Sequence, residues 1–210
     1  MDDVLSIIGR LRIIPVVTLN HAGDALPLAR ALLDGGLPLA EITLRTEAGA
    51  EALRRIAAEM PDILVGAGTV LTPAQVDAAA GAGARFIVSP GFNPRVVERA
   101  LAHGLVMIPG CATPSDMEQA MEHGLTTVKF FPAEQQGGVD YLKAVSGPYP
   151  ALRYVPTGGI GPHNLKHYLD FPRVLACGGS WMVKSELIDA GRFDEITALC
   201  REAAALAQAQ

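Results

Sequence analysis

The chain has 210 residues, 50% of them apolar and 5% aromatic, with a net charge of −5. That length and apolar content suffice for one good core, so the simplest expectation is a single domain over residues 1–210. The acidic balance argues against a nucleic-acid partner, no apolar run reaches the roughly 18 residues of a membrane helix, and the opening MDDVLSIIGR is acidic where a secretory leader would be basic. The expected location is therefore the cytoplasm.

In chain order, residues 1–10 read as a helix closing the bottom of whatever follows. Strand-like runs then come at 13–18 (IIPVVT), 39–43 (LAEIT), 63–67 (ILVGA), 86–89 (FIVS), 106–109 (VMIP), 127–131 (TVKFF), 153–156 (RYVP) and 174–177 (VLAC). A helical stretch follows each, often starting just after Thr, Ser or Pro, as in TPAQV, TPSDM and GPHNL, which are N-cap and first-turn signals. The helices end on glycines that precede the next strand: Gly36, Gly83, Gly104 and Gly124 stand where a left-handed cap residue is wanted. His103 and His123, one residue earlier, suit the last turn of a helix rather than a ligand set. Eight strand–helix units at a spacing of roughly 20 to 25 residues predict an α/β fold, a single-domain (β/α)8 TIM barrel with an N-terminal capping helix; a doubly wound sheet shares the alternation.

Three scattered cysteines, Cys111, Cys177 and Cys200, lack metal or disulfide spacing and read as small buried hydrophobes. GAGTVL at 66–71 imitates a dinucleotide fingerprint but has Leu71 in place of its last glycine, and reads as a tight strand end presenting Thr69. No cofactor is expected.

In a barrel, chemistry gathers at the C-terminal ends of the strands. Those ends carry Glu41, Thr43 and Arg45 on strand two, Thr69 after three, Pro90 after four, Lys129 and Phe131 on six, TGG (157–159) after seven and GGSW (178–181) after eight. Alternation puts Glu41, Thr43 and Arg45 on one face, and Lys129 and Phe131 on another. A lysine inside the apolar run TTVKFFP would lose much of its hydration. Desolvation and a neighbouring cation both favour free amine, the form that adds to a ketone as a Schiff base. Glu41 would then shuttle protons, while Arg45 and the Thr69 hydroxyl suit a carboxylate. The competing reading is a buried Glu41–Lys129 pair of purely structural use, against which a third ionisable group, Arg45, stands at the same mouth. Gly158, Gly159, Gly178, Gly179 and Ser180 leave backbone N–H groups open where barrels often bind phosphate.

These stretches resemble the class I 2-keto-3-deoxy-6-phosphogluconate (KDPG) aldolases of the Entner-Doudoroff route. EITLRT (41–46), VGAGTVL (65–71), SPGFNP (89–94), IPG (108–110), KFFPAE (129–134), PTGGI (156–160) and GGSW (178–181) carry the likeness, in order, over nearly the whole chain. The resemblance implies Lys129 as Schiff-base lysine, Glu41 as proton shuttle, and Arg45 and Thr69 as the pyruvate-carboxylate site. It implies Gly158, Gly159, Gly179 and Ser180 as the phosphate site, with Pro90, Phe131 and Thr157 lining the pocket. It also implies a homotrimer, a phosphorylated keto-deoxy sugar acid as substrate, and no metal. The epimeric galactonate and 4-hydroxy-2-oxoglutarate are alternative substrates, and a sugar-phosphate isomerase or epimerase with Glu41 as base is an alternative reaction.

Overall fold

A computed structural model describes residues 2–209. The strands are β1 (Ile13–Val17), β2 (Leu39–Thr43), β3 (Leu64–Gly68), β4 (Phe86–Val88), β5 (Val106–Ile108), β6 (Thr127–Phe130), β7 (Arg153–Pro156) and β8 (Cys177–Gly179). The helices are α1 (Asp2–Leu11), α2 (Ala25–Asp34), α3 (Ala48–Glu59), α4 (Pro73–Gly81), α5 (Pro94–Ala102), α6 (Pro114–Glu122), α7 (Gly138–Ser146), α8 (Leu165–Leu169), α9 (Ser185–Asp189) and α10 (Phe193–Gln208). The fold is α/β with a parallel sheet of six strands, ordered β5-β4-β3-β2-β1-β8, and a parallel pair β6-β7. Single bridges join the two: Gly110 to Lys129 at one edge, Tyr154 to Val174 and Thr157 to Gly178 at the other.

Apart from Glu41, Thr43, Thr127, Lys129 and Arg153, the strand residues are apolar on both faces, as parallel strands covered on both sides require. Ile14, Leu39, Leu64, Phe86, Val106 and Val155 form one core cluster, into which α1 inserts Val4 and Ile8. Leu39, Leu64, Phe86 and Val106 begin their strands, so α1 covers the N-terminal ends and leaves the C-terminal ends open. The alternate residues, among them Ile13, Ile42, Ala67, Ile87, Val128 and Tyr154, face the other helices in a second, larger cluster. No helix among the described residues is long and apolar enough to cross a membrane.

Local signals act where the chain places them. Thr72 and Thr113 each accept a hydrogen bond from the third helical N–H of α4 and α6, with Gln75 and Asp116 bonding back and proline at the first turn. Gly36, Gly83, Gly104 and Gly124 all have positive φ. His103 ends α5 and bonds Asp77 at 2.7 Å, and His123 ends α6 with Nδ1 2.8 Å from the Gln119 carbonyl.

Two expectations need correction. GPHNL does not open a helix: α8 begins at Leu165, because Asn164 first accepts from the Gly161 N–H at 2.9 Å and closes a turn. The last strand is 177–179 rather than 174–177. The stretch from Val174 to Gly178 is one residue longer than its partner stretch from Tyr154 to Thr157, so regular pairing breaks there and resumes only where Cys177 meets Ile13. Glycines that propensity excludes from strands are used because a side chain at Gly178 would overlap that of Thr157.

Candidate active site

Lys129 is held at both backbone groups by the segment just past β5: its N–H donates to the Pro109 carbonyl and its carbonyl accepts from the Cys111 N–H, each at 2.8 Å. Lys129, 5% exposed as a residue, reaches Glu41, 2% exposed, with Nζ 3.4 Å from Oε1. The same Nζ lies 5.1 Å from the centre of the Phe131 ring. Phe131 itself stands just beyond β6, ahead of Pro132.

Glu41 has room for its carboxylate because of a glycine. A methyl group on Gly68 would stand 2.6 Å from Glu41 Cγ, and one on Gly66 would stand 2.5 Å from the Phe86 ring. The alternating glycines of GAGT therefore empty one face of β3, first for an aromatic ring and then for the carboxylate. Sequence reading missed this role, although two glycines spaced by two on one strand are its visible sign.

Of the other residues on the Glu41 face, Thr43 is fully buried and donates to the Val17 carbonyl at 2.8 Å, so its hydroxyl ties β2 to β1. Arg45 is exposed and past the strand, where its Nε donates to Thr69 Oγ1 at 3.1 Å. Thr69 has φ 57, a left-handed conformation that a β-branched residue adopts only at a cost of about 1–3 kcal/mol. The strained backbone turns its hydroxyl toward the guanidinium, whose remaining N–H groups form a fork suited to a carboxylate.

A cavity of about 380 Å³ opens beside this pair. Its wall includes Arg45, Phe131, Thr157, Gly158, Gly159, Gly179 and Ser180, and also Thr18, Lys184 and Glu186, which sequence reading did not single out. Lys129, Glu41, Thr69 and Pro90 are not on that wall; Phe131 is the contact between the cavity and Lys129. Pro90 is half-buried, with its carbonyl packed where any side chain at Gly110 would stand.

The glycine loops present their amides. The carbonyl of Gly158 accepts from Glu134 N–H at 3.1 Å, that of Gly159 from Asn164 Nδ2 at 3.0 Å, and that of Ser180 from Val183 N–H at 3.1 Å. Among the described residues no hydrogen bond engages the N–H groups of Gly158, Gly159 or Ser180. Acceptors tied back and donors left open make a concave site for an anion.

A deep amine–carboxylate pair, a guanidinium–hydroxyl pair at the rim and an amide-lined end suit a bifunctional anion with an oxo group. Comparison with known proteins agrees with that chemistry. The family model of KDPG and KHG aldolase matches residues 4–199. A 2-dehydro-3-deoxy-phosphogluconate aldolase of Treponema pallidum is 52% identical over 202 residues, 96% of each chain. The KDPG aldolase of Legionella pneumophila, solved with pyruvate captured at low pH as a covalent carbinolamine intermediate, has a TM-score of 0.92 at 40% identity, covering 95% of this chain and 97% of that one. The KDPG aldolase of Zymomonas mobilis ZM4 with 3-phosphoglycerate has the same TM-score at 39% identity, covering 98% and 97%. Sequence and structure thus agree over nearly the full length, and the chain belongs to the KDPG and KHG aldolase family.

Proposed function

We propose that this chain is a class I aldolase that cleaves 2-keto-3-deoxy-6-phosphogluconate to pyruvate and D-glyceraldehyde 3-phosphate through a Schiff base on Lys129. The observation that carries the reading is the buried Lys129 Nζ at 3.4 Å from Glu41 Oε1. The carbinolamine captured in the Legionella relative supports the covalent route.

The Lys129 amine adds to the keto carbon, and loss of water from the carbinolamine gives an iminium. Glu41, directly or through a water, moves the protons of both steps, a role worth about 10²–10⁴-fold in rate. The iminium then accepts the electron pair of the bond between the third and fourth carbons as the hydroxyl on the fourth gives up its proton. Glyceraldehyde 3-phosphate leaves and an enamine remains. Protonation at its terminal carbon and hydrolysis return pyruvate and the free lysine. Arg45 and Thr69 hold the carboxylate, and the amides of Gly158, Gly159, Gly179 and Ser180 hold the phosphate, whose remote binding energy can be used at the reacting carbons. Thr157 and Phe131 wall the space between, and Pro90 supports the strand end beside it.

The same reading takes the eight strands as one closed (β/α)8 barrel in a single domain. The bridges Gly110–Lys129, Tyr154–Val174 and Thr157–Gly178 support closure at both edges of the six-stranded sheet. Assembly as a homotrimer, which the resemblance implies, belongs to this reading and is checked by molar mass in solution.

Pyruvate release from the gluconate substrate, its galactonate epimer and 4-hydroxy-2-oxoglutarate tests the assignment. The highest specificity constant is expected for the phosphorylated gluconate. Absence of cleavage on all three would sink the aldolase reading, and equal use of the unphosphorylated acid would sink the assignment of the phosphate end.

A further inference from the structure

The amides at the phosphate end point into the cavity only if their carbonyls are held away from it. We propose that Asn164, together with the Tyr168–Glu134 pair, forms a positioning device that turns the Gly158 and Gly159 amides toward the substrate phosphate. This rests on the reading of that cavity as the seat of the phosphate.

Asn164 bridges the loop it follows: Oδ1 accepts from the Gly161 N–H at 2.9 Å and Nδ2 donates to the Gly159 carbonyl at 3.0 Å. One amide side chain therefore fixes both ends of the turn after β7. Across from it, Glu134 takes the Gly158 carbonyl through its backbone N–H, and Ala133 takes that of Thr157 at 2.8 Å. The loop after Lys129 and the phosphate loop are thus joined along their backbones. Tyr168 pins the junction, its hydroxyl donating to Glu134 Oε1. The tyrosine is 1% exposed, and burial, then the Glu134 contact, push its hydroxyl up, so it stays a donor. Glu134 in turn fills the space beside Gly159, where a side chain would stand 2.5 Å from Glu134 Cγ. Gly159 has φ 79 and Gly158 φ 101, so the turn depends on both glycine conformations and on these two clamps.

The test compares wild type with Asn164→Ala, Tyr168→Phe, Glu134→Ala and Glu134→Gln. Each is measured for binding of inorganic phosphate, for KM on the phosphorylated substrate, for cleavage of 4-hydroxy-2-oxoglutarate and for trapping of pyruvate by borohydride. Asn164→Ala and Tyr168→Phe are expected to weaken phosphate binding and raise KM about five- to tenfold, the scale of one lost hydrogen bond, with the unphosphorylated substrate and pyruvate trapping within about twofold of wild type. Glu134→Gln still accepts from the tyrosine and is expected to behave as wild type, whereas Glu134→Ala follows Tyr168→Phe. Unchanged phosphate affinity, or equal losses on both substrates, would overturn the proposal, because residues serving only the fold make no distinction by phosphate. Should Asn164→Ala not fold, Asn164→Ser decides in its place, since its shorter, neutral side chain cannot span from the Gly161 N–H to the Gly159 carbonyl and adds no charge beside the anion. A wild type that cleaves none of the oxo acids, yet binds phosphate in a way these variants weaken, would overturn the aldolase reading and support this one.

Discussion

Gly68 and Glu41 share one space: the carboxylate that meets Lys129 occupies the position a side chain on Gly68 would need. Gly66, two residues earlier on the same face, yields its space to Phe86 instead. Gly68→Ala and Gly66→Ala are therefore expected to separate catalysis from stability. The first displaces Glu41 and lowers cleavage by about 10²-fold or more, the weight of a misplaced proton shuttle. The second overpacks the core and costs about 1–3 kcal/mol of stability while leaving activity per folded molecule near wild type. Denaturant titrations beside initial rates check this, and equal losses of activity in the two variants would contradict it.

Thr69 is expected to trade stability for binding. Thr69→Gly removes the cost of the left-handed backbone, about 1–3 kcal/mol, against roughly 1 kcal/mol of extra chain entropy in the unfolded state. The melting temperature should hold or rise. Without the hydroxyl, Arg45 loses its partner, and the pyruvate concentration for half-maximal trapping should rise about ten- to hundredfold. A clear fall in melting temperature would show that Thr69 is not strained in the folded chain.

The buried acids predict the alkaline limit of the fold. Burial pushes the Cys200 thiol up from 9.0 to about 12, and burial, the leading cause, raises the Tyr154 hydroxyl from 10.0 to about 12. Burial also raises the Cys111 and Cys177 thiols. Folded values above unfolded ones mean that stability is fully present below pH 9.0 and is lost as pH rises toward about 12. Unfolding followed against pH should show that loss beginning near 9.0, and all three thiols should resist aromatic disulfide reagents at pH 8 until the chain is denatured, as the buried positions require. Fast labelling of the native chain would contradict the burial.

Much of this architecture was legible because its signals are local. Thr-Pro openings and glycine endings act within one turn of helix, and the apolar runs mark seven of the eight strands to within two residues. The last strand is misplaced because its glycines pair for reasons that lie on β1 and just past β7, outside its own sequence. At the site, alternation put Glu41 and Lys129 on faces that the fold brings together, across 88 residues of chain. What sequence reading could not supply was the contact made by an absence. Gly68 reads as a strand-end turn until Glu41 is seen in its place, and Gly159 reads as open phosphate-binding backbone until Glu134 is found against it. A Gly159→Val variant would therefore disturb the Glu134 clamp and strain a positive φ as well as block an anion, which makes it a poor probe of phosphate binding alone.

Every step of the proposed reaction passes through the Lys129 amine, and reductive trapping reads that amine out. Pyruvate and borohydride are added to wild type and to Lys129→Ala, and the adduct is located by peptide mass spectrometry. One reduced pyruvate adduct per chain is expected, on Lys129, with loss of cleavage in step with its formation, and no adduct or cleavage in the alanine variant whose circular dichroism matches wild type. An adduct on another lysine, or full cleavage by Lys129→Ala, would contradict that expectation.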